Sequence, residues 1–283
     1  MLVKLYTNNI KESRGITLGI EFTNQLIDIV GGRNFRELGG YETISGKKIK
    51  YHKLLRTGNL ANLTNEDLKY LTNYGVKYDI DFRTKREQDN EPDRVPEGAS
   101  YEFTPVFSDD LTNSSKSIDA LETESEKDPN FGFDHMLLAY DDMIHSQTAK
   151  EAYRRFFELL LSNKNDNEVV LFHCTAGKDR TGFGAILLLA SLGVPLSKIR
   201  EDYLLTNITT QDFVENLLNQ EKAKGKSENI LQSIRDIQTV HPEYFDFTIK
   251  RINEDFESIN NYLRSEMKLS SADIMDLRQI YLA

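Results

Sequence analysis

Residues 173–182 read His173-Cys174-Thr175-Ala176-Gly177-Lys178-Asp179-Arg180-Thr181-Gly182. The apolar run from Val169 to Phe172 before this segment predicts a fully buried strand of a parallel sheet. The apolar run from Phe183 to Leu192 after it predicts a buried helix, which Gly193 and Pro195 end. A strand, a tight loop and a helix in this order indicate an α/β fold with a mostly parallel central sheet.

The same loop predicts an anion-binding site. Backbone N–H groups at the start of a helix converge on a bound anion, and the helix dipole adds positive potential there. We expect the phosphate-binding residues to be Thr175, Ala176, Gly177, Lys178, Asp179 and Arg180. The guanidinium of Arg180 is expected to bind two phosphate oxygens as a planar fork. The positive potential also favours a thiolate over a thiol, so we expect Cys174 to be ionised near neutral pH.

A thiolate held beside a phosphate ester predicts covalent catalysis. Attack by Cys174 on phosphorus would give a cysteinyl-phosphate, which water then hydrolyses. Arg180 and the loop amides would stabilise the charge on the transferring group. We expect Thr181 to donate a hydrogen bond to the sulfur and His173 to orient the loop. The sequence therefore predicts a phosphomonoester hydrolase.

Two other functions remain open at this stage. A non-catalytic module that binds a phosphorylated ligand would use the same loop without turnover. A sulfurtransferase or an arsenate reductase also carries a cysteine loop, but Cys174 is the one cysteine in the chain, so a resolving thiol is absent.

Local signals predict further elements before the loop. Residues 51–56 are predicted to form a strand, and alternating apolar residues over 76–82 predict another. Thr64 and Thr84 each precede an acidic residue by three positions, which is typical of a helix N-cap. Gly75 is placed to end the helix that starts after Thr64.

The chain is predicted to form one domain over residues 1–283. Its core is expected over 18–265, and 266–283 are expected to form a terminal helix. Residues 108–134 are rich in polar side chains and are predicted to form an insertion or a lid over the site. A helix is predicted from Gln147 to Leu161, and further helices are predicted toward the C-terminus.

Composition limits the remaining possibilities. The 283 residues carry a formal net charge of −10, without the basic surface that general nucleic-acid binding requires. One cysteine excludes an intramolecular disulfide and a multi-cysteine zinc site. The sequence shows no apolar run long enough for stable membrane insertion and no signal peptide, so we expect a cytoplasmic location, with export left open. The oligomeric state is not predicted.

The loop and several other motifs resemble the bacterial tyrosine-specific and dual-specificity phosphatases that are related to secreted virulence phosphatases. The similar segments, in chain order, are Gly32–Gly40, Arg56–Leu60, Asp81–Arg83 followed by Glu87 and Pro92-Asp93, the loop itself, and Ser258–Leu263. The resemblance implies a three-layer α-β-α cysteine-phosphatase fold with extra C-terminal helices. It also implies hydrolysis of phosphotyrosine in a phosphorylated protein, without a metal ion or cofactor.

The resemblance extends to other substrates. Members of this family are thought to accept phosphoserine, phosphothreonine and phosphoinositides as well. With a lysine at position 178, the loop is similar to that of phosphoinositide phosphatases. An extra cation there would suit a ligand with several phosphates.

The general acid is not fixed by these motifs. The chain contains no tryptophan, so the Trp-Pro-Asp loop of the best-known tyrosine phosphatases is absent. Asp179 is the first candidate, and it would have to be protonated beside the anionic substrate. Asp81 is the second candidate, with Arg83 expected to contact the substrate or the loop. Acidic residues between 108 and 142 are the third, since a lid could deliver one on closure.

Overall fold

A computed structural model describes residues 25–109, 111–112 and 122–283. Its central sheet, as far as those residues show, has five strands in the spatial order β1-β2-β5-β3-β4. β1 pairs antiparallel with β2, and the other three pairings are parallel. The predicted α/β class with a mostly parallel sheet is therefore confirmed. The strands are β1 (Arg36–Glu37), β2 (Leu54–Thr57), β3 (Val76–Asp81), β4 (Ser100–Phe103) and β5 (Val169–His173).

Twelve helices lie in the described part of the chain, and seven of them follow β5. They are α1 (Asn65–Tyr74), α2 (Lys85–Asn90), α3 (Glu122–Lys127), α4 (Phe131–His145), α5 (Gln147–Ser162), α6 (Arg180–Leu192), α7 (Leu196–Thr209), α8 (Gln211–Ala223), α9 (Glu228–Gln238), α10 (Pro242–Phe256), α11 (Ile259–Ser265) and α12 (Ser271–Tyr281).

The central strand β5 is buried on both faces. Val170 and Phe172 pack into the larger core, which includes side chains of α4, α5 and α6. Val169 and Leu171 pack into a smaller core, which includes Leu71 of α1. Successive side chains of a strand point to opposite faces, so a doubly covered strand reads as an uninterrupted apolar run. The sheet is thus the middle layer between two layers of helix, as the resemblance implied.

The two predicted N-caps are confirmed. The hydroxyl oxygen of Thr64 accepts a hydrogen bond from the backbone N–H of Asp67 at 3.1 Å, and the Asp67 carboxylate accepts from the N–H of Thr64 at 2.8 Å. Thr84 forms the same reciprocal pair with Glu87 at the start of α2. Gly75, with φ of 96°, ends α1 in the left-handed conformation that glycine adopts readily.

Three predicted boundaries differ from the structure. The terminal helix predicted over 266–283 is α12, which spans only Ser271–Tyr281 because Ser270 caps its start. The second strand begins at Leu54, because His52 has a left-handed φ of 59° and breaks the extended run predicted from residue 51. Helix α6 begins at Arg180, three residues before the predicted start. Arg180, which is predicted to bind phosphate, is therefore already part of the helix, and the loop is shortened to residues 174–179.

The predicted insertion over 108–134 is partly helical, since it contains α3 and the first residues of α4. Residues 110 and 113–121 lie outside the described residues, so a lid in this segment stays a prediction. Residues 18–24 of the predicted core also lie outside them. Within the described ranges, no helix has both the length and the apolar character that a membrane-spanning helix needs.

Candidate active site

The loop after β5 is held in place by side chains that bind its carbonyl oxygens from outside the loop. The side-chain amide of Asn34 donates to the carbonyl oxygens of Ala176 at 3.2 Å and Gly177 at 2.8 Å. Arg56 also donates to the Gly177 carbonyl, at 3.1 Å. In a trans peptide the N–H points opposite to the carbonyl, so the N–H groups that follow these carbonyls face the interior of the loop. Among the described residues, the N–H groups of 175–179 have no acceptor.

Glycines let the end of β2 approach this loop closely. Gly177 has a φ of +67°, and a Cβ added there would lie 2.3 Å from the carbonyl oxygen of Thr57. A Cβ on Gly58 would lie 3.1 Å from the carbonyl oxygen of Thr175. That same carbonyl accepts a hydrogen bond from the N–H of Asn59 at 3.0 Å. The Arg56–Leu60 motif thus supports the loop and does not contact it by chance.

Arg180 is oriented by a buried carboxylate. Its two terminal nitrogens donate to the two oxygens of Glu87 at 2.6 and 2.8 Å, and Thr175 donates to the same carboxylate. Burial alone would raise the pKa of Glu87, but the charge of Arg180 and the hydrogen bonds from Arg180, Thr175 and Thr84 together outweigh it and lower that pKa to about 2. The Phe107 ring lies 5.8 Å from the guanidinium carbon. Arg180 is therefore held at the start of α6, and the Glu87 carboxylate compensates its charge.

Lys178 and Asp179 form a pair at the other side of the loop. The Lys178 ammonium lies 2.8 and 3.0 Å from the two carboxylate oxygens of Asp179. It also donates to the carbonyl oxygens of Ile237 at 2.6 Å and Thr239 at 3.3 Å, at the C-terminal end of α9. Asp179 accepts a further hydrogen bond from the Tyr140 hydroxyl at 2.9 Å. Both predicted residues thus lie in the loop, but oxygen atoms of the protein already bind the Lys178 ammonium.

His173 lies under the loop among carboxylates. Its Nδ1 is 3.2 Å from the carbonyl oxygen of Cys174, and its Nε2 is 3.2 Å from Asp79 and 3.3 Å from Asp93. Burial would lower the pKa of His173, but the charges of Asp93 and Asp81 outweigh it and raise that pKa well above the ordinary value. These carboxylates favour the charged form of the imidazole, which adds positive potential next to Cys174.

Asp79, Asp93 and His173 also present three potential metal-ligand atoms within 4.8 Å of one another. A histidine must be neutral to bind a metal ion, and here the carboxylates favour the charged imidazolium. Burial raises the pKa of Asp79 to about 6. We interpret the cluster as buried carboxylates that hold the charged imidazole of His173 in place under the loop.

Asp81 and Arg83 belong to this buried network. The Arg83 guanidinium donates to both Asp81 oxygens at 2.8–3.1 Å, and the Tyr101 hydroxyl donates to Asp81 at 2.9 Å. Arg83 also lies 2.5 Å from an Asp93 oxygen. Both side chains are completely or almost completely buried. These contacts favour the structural role for Asp81, as a strand-end ion pair, over the role of general acid.

Cys174 itself is only 2% exposed. The hydroxyl of Thr181 is buried and has no hydrogen-bond partner among the described residues, so it can still donate to another atom. Ala176 is the one loop residue between 174 and 179 that is partly exposed. A narrow cleft there is also lined by Arg33 and Phe213. The loop therefore meets solvent on its Ala176 side.

Sequence reasoning missed several residues that build the site. Glu87 was predicted only as a cap and as part of a motif, although its spacing from Asp81-Phe82-Arg83 was a usable signal. Asn34 lies in the Gly32–Gly40 motif, but no local pattern shows that its amide binds carbonyl groups 142 and 143 positions away. Tyr140 gave no signal, because its contact with Asp179 joins residues 39 positions apart.

Comparison with known proteins agrees with this geometry. The model of the tyrosine phosphatase family matches residues 27–283. The chain is 30% identical over 251 residues to a protein of Cupriavidus necator that is provisionally named a tyrosine-protein phosphatase, covering 88% of this chain and 86% of that one. It is 25% identical over 280 residues to the triple specificity protein phosphatase PtpB of Mycobacterium tuberculosis, covering 90% of this chain and 98% of PtpB.

A shorter match is to a tyrosine-protein phosphatase of Nostoc commune, 30% identical over 161 residues, which is 54% of this chain and 47% of that one. The resemblance predicted from the sequence motifs is therefore confirmed. This chain belongs to the tyrosine phosphatase family and is a protein-tyrosine phosphatase.

Proposed function

We propose that the enzyme hydrolyses phosphotyrosine through a cysteinyl-phosphate intermediate on Cys174. The observation that carries this proposal is the loop, whose outward carbonyls are bound by Asn34 and Arg56 while the N–H groups of 175–179 have no acceptor within the described ranges. Such a ring of amides at the start of α6 binds an oxyanion and favours the thiolate of Cys174. The charged imidazole of His173 adds to the same potential.

The proposed reaction has two displacements. In the first, the Cys174 sulfur forms a bond to phosphorus, the ester P–O bond breaks, and the leaving oxygen takes a proton from Asp179. In the second, water attacks phosphorus and gives a proton to Asp179 while the S–P bond breaks. The Thr181 hydroxyl, which has no partner among the described residues, donates to the departing thiolate. Arg180 and the amides bind the phosphoryl oxygens throughout.

Asp179 needs its proton when the substrate arrives. In the structure its carboxylate is paired with Lys178. A phosphate dianion in the loop competes with Asp179 for the Lys178 ammonium, and its negative charge repels an ionised carboxylate. Both effects favour the protonated form of Asp179 once the substrate is bound. Lys178 would then change partner from Asp179 to the substrate.

Phosphoserine, phosphothreonine and phosphoinositides are proposed as further substrates. Support comes from Lys178, which adds a cation to the loop, and from the similarity to PtpB, whose name gives it triple specificity. A non-catalytic binding role is the alternative to all of these. The intact combination of Cys174, Arg180 and Asp179 favours turnover.

The test is a substrate panel of phosphotyrosine peptide, phosphoserine peptide and phosphoinositides. We expect Cys174→Ser to abolish turnover while it retains binding of the phosphopeptide, because the amide ring remains. A rapid acid quench of the wild type with labelled substrate should trap phosphate on the protein, and Cys174→Ser should trap none. Residual turnover by Cys174→Ser would overturn the covalent mechanism.

The same panel assigns the role of Lys178. Lys178→Ala should lose more activity on phosphoinositides than on the peptides if the ammonium reads additional phosphates. The matched control is Lys250→Ala on the exposed side of α10, which should leave the ratios unchanged. An equal loss on every substrate would show that Lys178 serves the loop and not substrate choice.

A further inference from the structure

Two buried tyrosines stand in line behind Asp179. The Tyr140 hydroxyl lies 2.9 Å from Oδ1 of Asp179 and 2.7 Å from the hydroxyl of Tyr203. Tyr140 comes from α4, Tyr203 from α7, and Asp179 from the loop before α6. All three side chains are at most 2% exposed. Three separate elements therefore converge on one carboxyl group.

The direction of these hydrogen bonds follows from the chemistry of the groups. An ionised carboxylate can only accept, so Tyr140 donates its proton to Asp179, and Tyr203 then donates to the oxygen of Tyr140. Burial and the nearby charge of Asp179 raise the pKa values of both phenols well above the ordinary value. Both hydroxyls thus keep their protons at every pH at which the enzyme works. The direction of donation, from Tyr203 to Tyr140 and from Tyr140 to Asp179, is therefore fixed.

We infer that Tyr140 is a positioning residue for Asp179 and that Tyr203 in turn positions Tyr140. The inference rests on the proposed role of Asp179 as general acid. A donor aimed at Oδ1 disfavours a proton on that oxygen, so the proton needed for the leaving group is directed to Oδ2. When a substrate phosphate draws Lys178 away, the bond from Tyr140 keeps the carboxyl in place. Without it the acid would lose alignment with the leaving oxygen.

The test uses the leaving group as the readout. A series of aryl phosphates from strongly acidic phenols to phenol itself varies the need for an acid in the first displacement, which kcat/KM reports. We expect Tyr140→Phe to leave kcat/KM unchanged for the most acidic leaving groups. For phenyl phosphate and phosphotyrosine we expect a fall of about tenfold, which is the size expected for the loss of one buried hydrogen bond. Tyr203→Phe should show a smaller fall of the same kind.

Tyr281→Phe is the matched control. Its hydroxyl is also buried and donates to a backbone carbonyl, that of Leu160, at 2.9 Å, away from the loop. We expect this variant to show no dependence on the leaving group. The ratio of two substrates measured on one preparation does not depend on the folded fraction, so partial unfolding of a variant cannot imitate the effect.

The variant Asp179→Asn separates the acid role of Asp179 from the positioning role of Tyr140. We expect it to show the same dependence on the leaving group more strongly than Tyr140→Phe. If Asp179→Asn shows the dependence and Tyr140→Phe loses activity uniformly, the positioning role is wrong and the acid role stands. If Asp179→Asn shows no dependence, Asp179 is not the acid, and the inference about Tyr140 is overturned with it.

Discussion

At the scale of single residues, Glu87 shows how one carboxylate serves two purposes. It caps α2 through the backbone N–H of Thr84 at 2.8 Å and at the same time binds both terminal nitrogens of Arg180. A planar guanidinium held by two parallel bonds has little rotational freedom. The position of α2 therefore directly determines the position of Arg180, the residue proposed to bind the phosphate.

The lowered pKa of Glu87 predicts how stability depends on pH. Its folded-state pKa is about 2, against an ordinary value of 4.5, so the ionised form is favoured by folding. The stabilisation is fully present above pH 4.5 and is lost as the pH falls toward 2. We expect the free energy of unfolding of the wild type to fall over this window more steeply than that of Glu87→Gln.

Urea denaturation at a series of pH values measures this difference. The control is Glu97→Gln, which removes an exposed carboxylate and should follow the wild type. Parallel curves for the wild type and Glu87→Gln would mean that the pair with Arg180 does not favour the ionised form. Glu87→Gln should also lower kcat/KM, since Arg180 loses its orientation.

At the scale of elements, the start of α1 does more than cap a helix. Asp67 accepts from the N–H of Thr64 and also from the N–H groups of Val30 and Gly31, at 3.0 and 2.8 Å. Three backbone donors on one carboxylate lower the pKa of Asp67 against the opposing effect of burial. Helix α1 thus anchors the segment that contains Asn34, and Asn34 in turn binds the loop.

This arrangement predicts that two capping substitutions differ in cost. Thr64→Ala removes a cap and should cost about 1 kcal/mol of the free energy of unfolding. Asp67→Ala should cost more, because it leaves the N–H groups of Val30 and Gly31 without their acceptor. Chemical denaturation of both variants, with the exposed Glu66→Ala as control, measures the difference. Equal costs would show that the contacts to Val30 and Gly31 contribute nothing.

Elements of this kind were accessible from the sequence because their causes are local. Thr64 and Asp67 are three residues apart, and Gly75 lies at the helix end that it terminates. The start of α6 was placed three residues late because polar Arg180 and Thr181 resemble loop residues. Their helical conformation follows from the inward amides and the contact of Arg180 with Glu87, 93 positions away, which no local pattern contains.

At the scale of the whole molecule, Asp202 joins distant parts of the chain. From α7 it binds Arg36 of β1 at 2.9 Å and Arg56 of β2 at 2.5 Å, and all three side chains are buried. Burial and the charge of Arg36 lower the pKa of Arg56 to about 10 despite this pairing. Since Arg56 also holds the Gly177 carbonyl, the cluster links the sheet and the C-terminal helices to the loop.

Removal of that carboxylate should be costly. Asp202→Asn leaves two buried guanidinium groups facing each other, and we expect it to lower the free energy of unfolding by about 3–5 kcal/mol. The control Asp246→Asn breaks an exposed pair with Arg200 and should cost less than about 1 kcal/mol. Thermal and urea unfolding compare the two. A cost for Asp202→Asn no larger than that of the control would mean that the cluster is not needed for stability.

The contacts of Asp202 also mark the limit of sequence reasoning. Arg36 and Arg56 were found in motifs, but their common partner lies 166 and 146 positions away, in a helix with no distinctive pattern. The strand, loop and helix that contain Cys174 and Arg180 were predictable because they are contiguous in the sequence. The supports of the loop were not, because they become neighbours only after the sheet and helices have assembled.

The burial of Cys174 has a practical consequence. With a single thiol in 283 residues, any thiol-specific dye that becomes attached must be attached at the bottom of the catalytic loop. At 2% exposure the sulfur is out of reach of a bulky reagent until the surrounding protein moves aside. The rate of labelling therefore reports how far the open form is populated when labelling is slow compared with reclosing. Phosphate or a substrate analogue should slow the labelling by occupying the path to the sulfur.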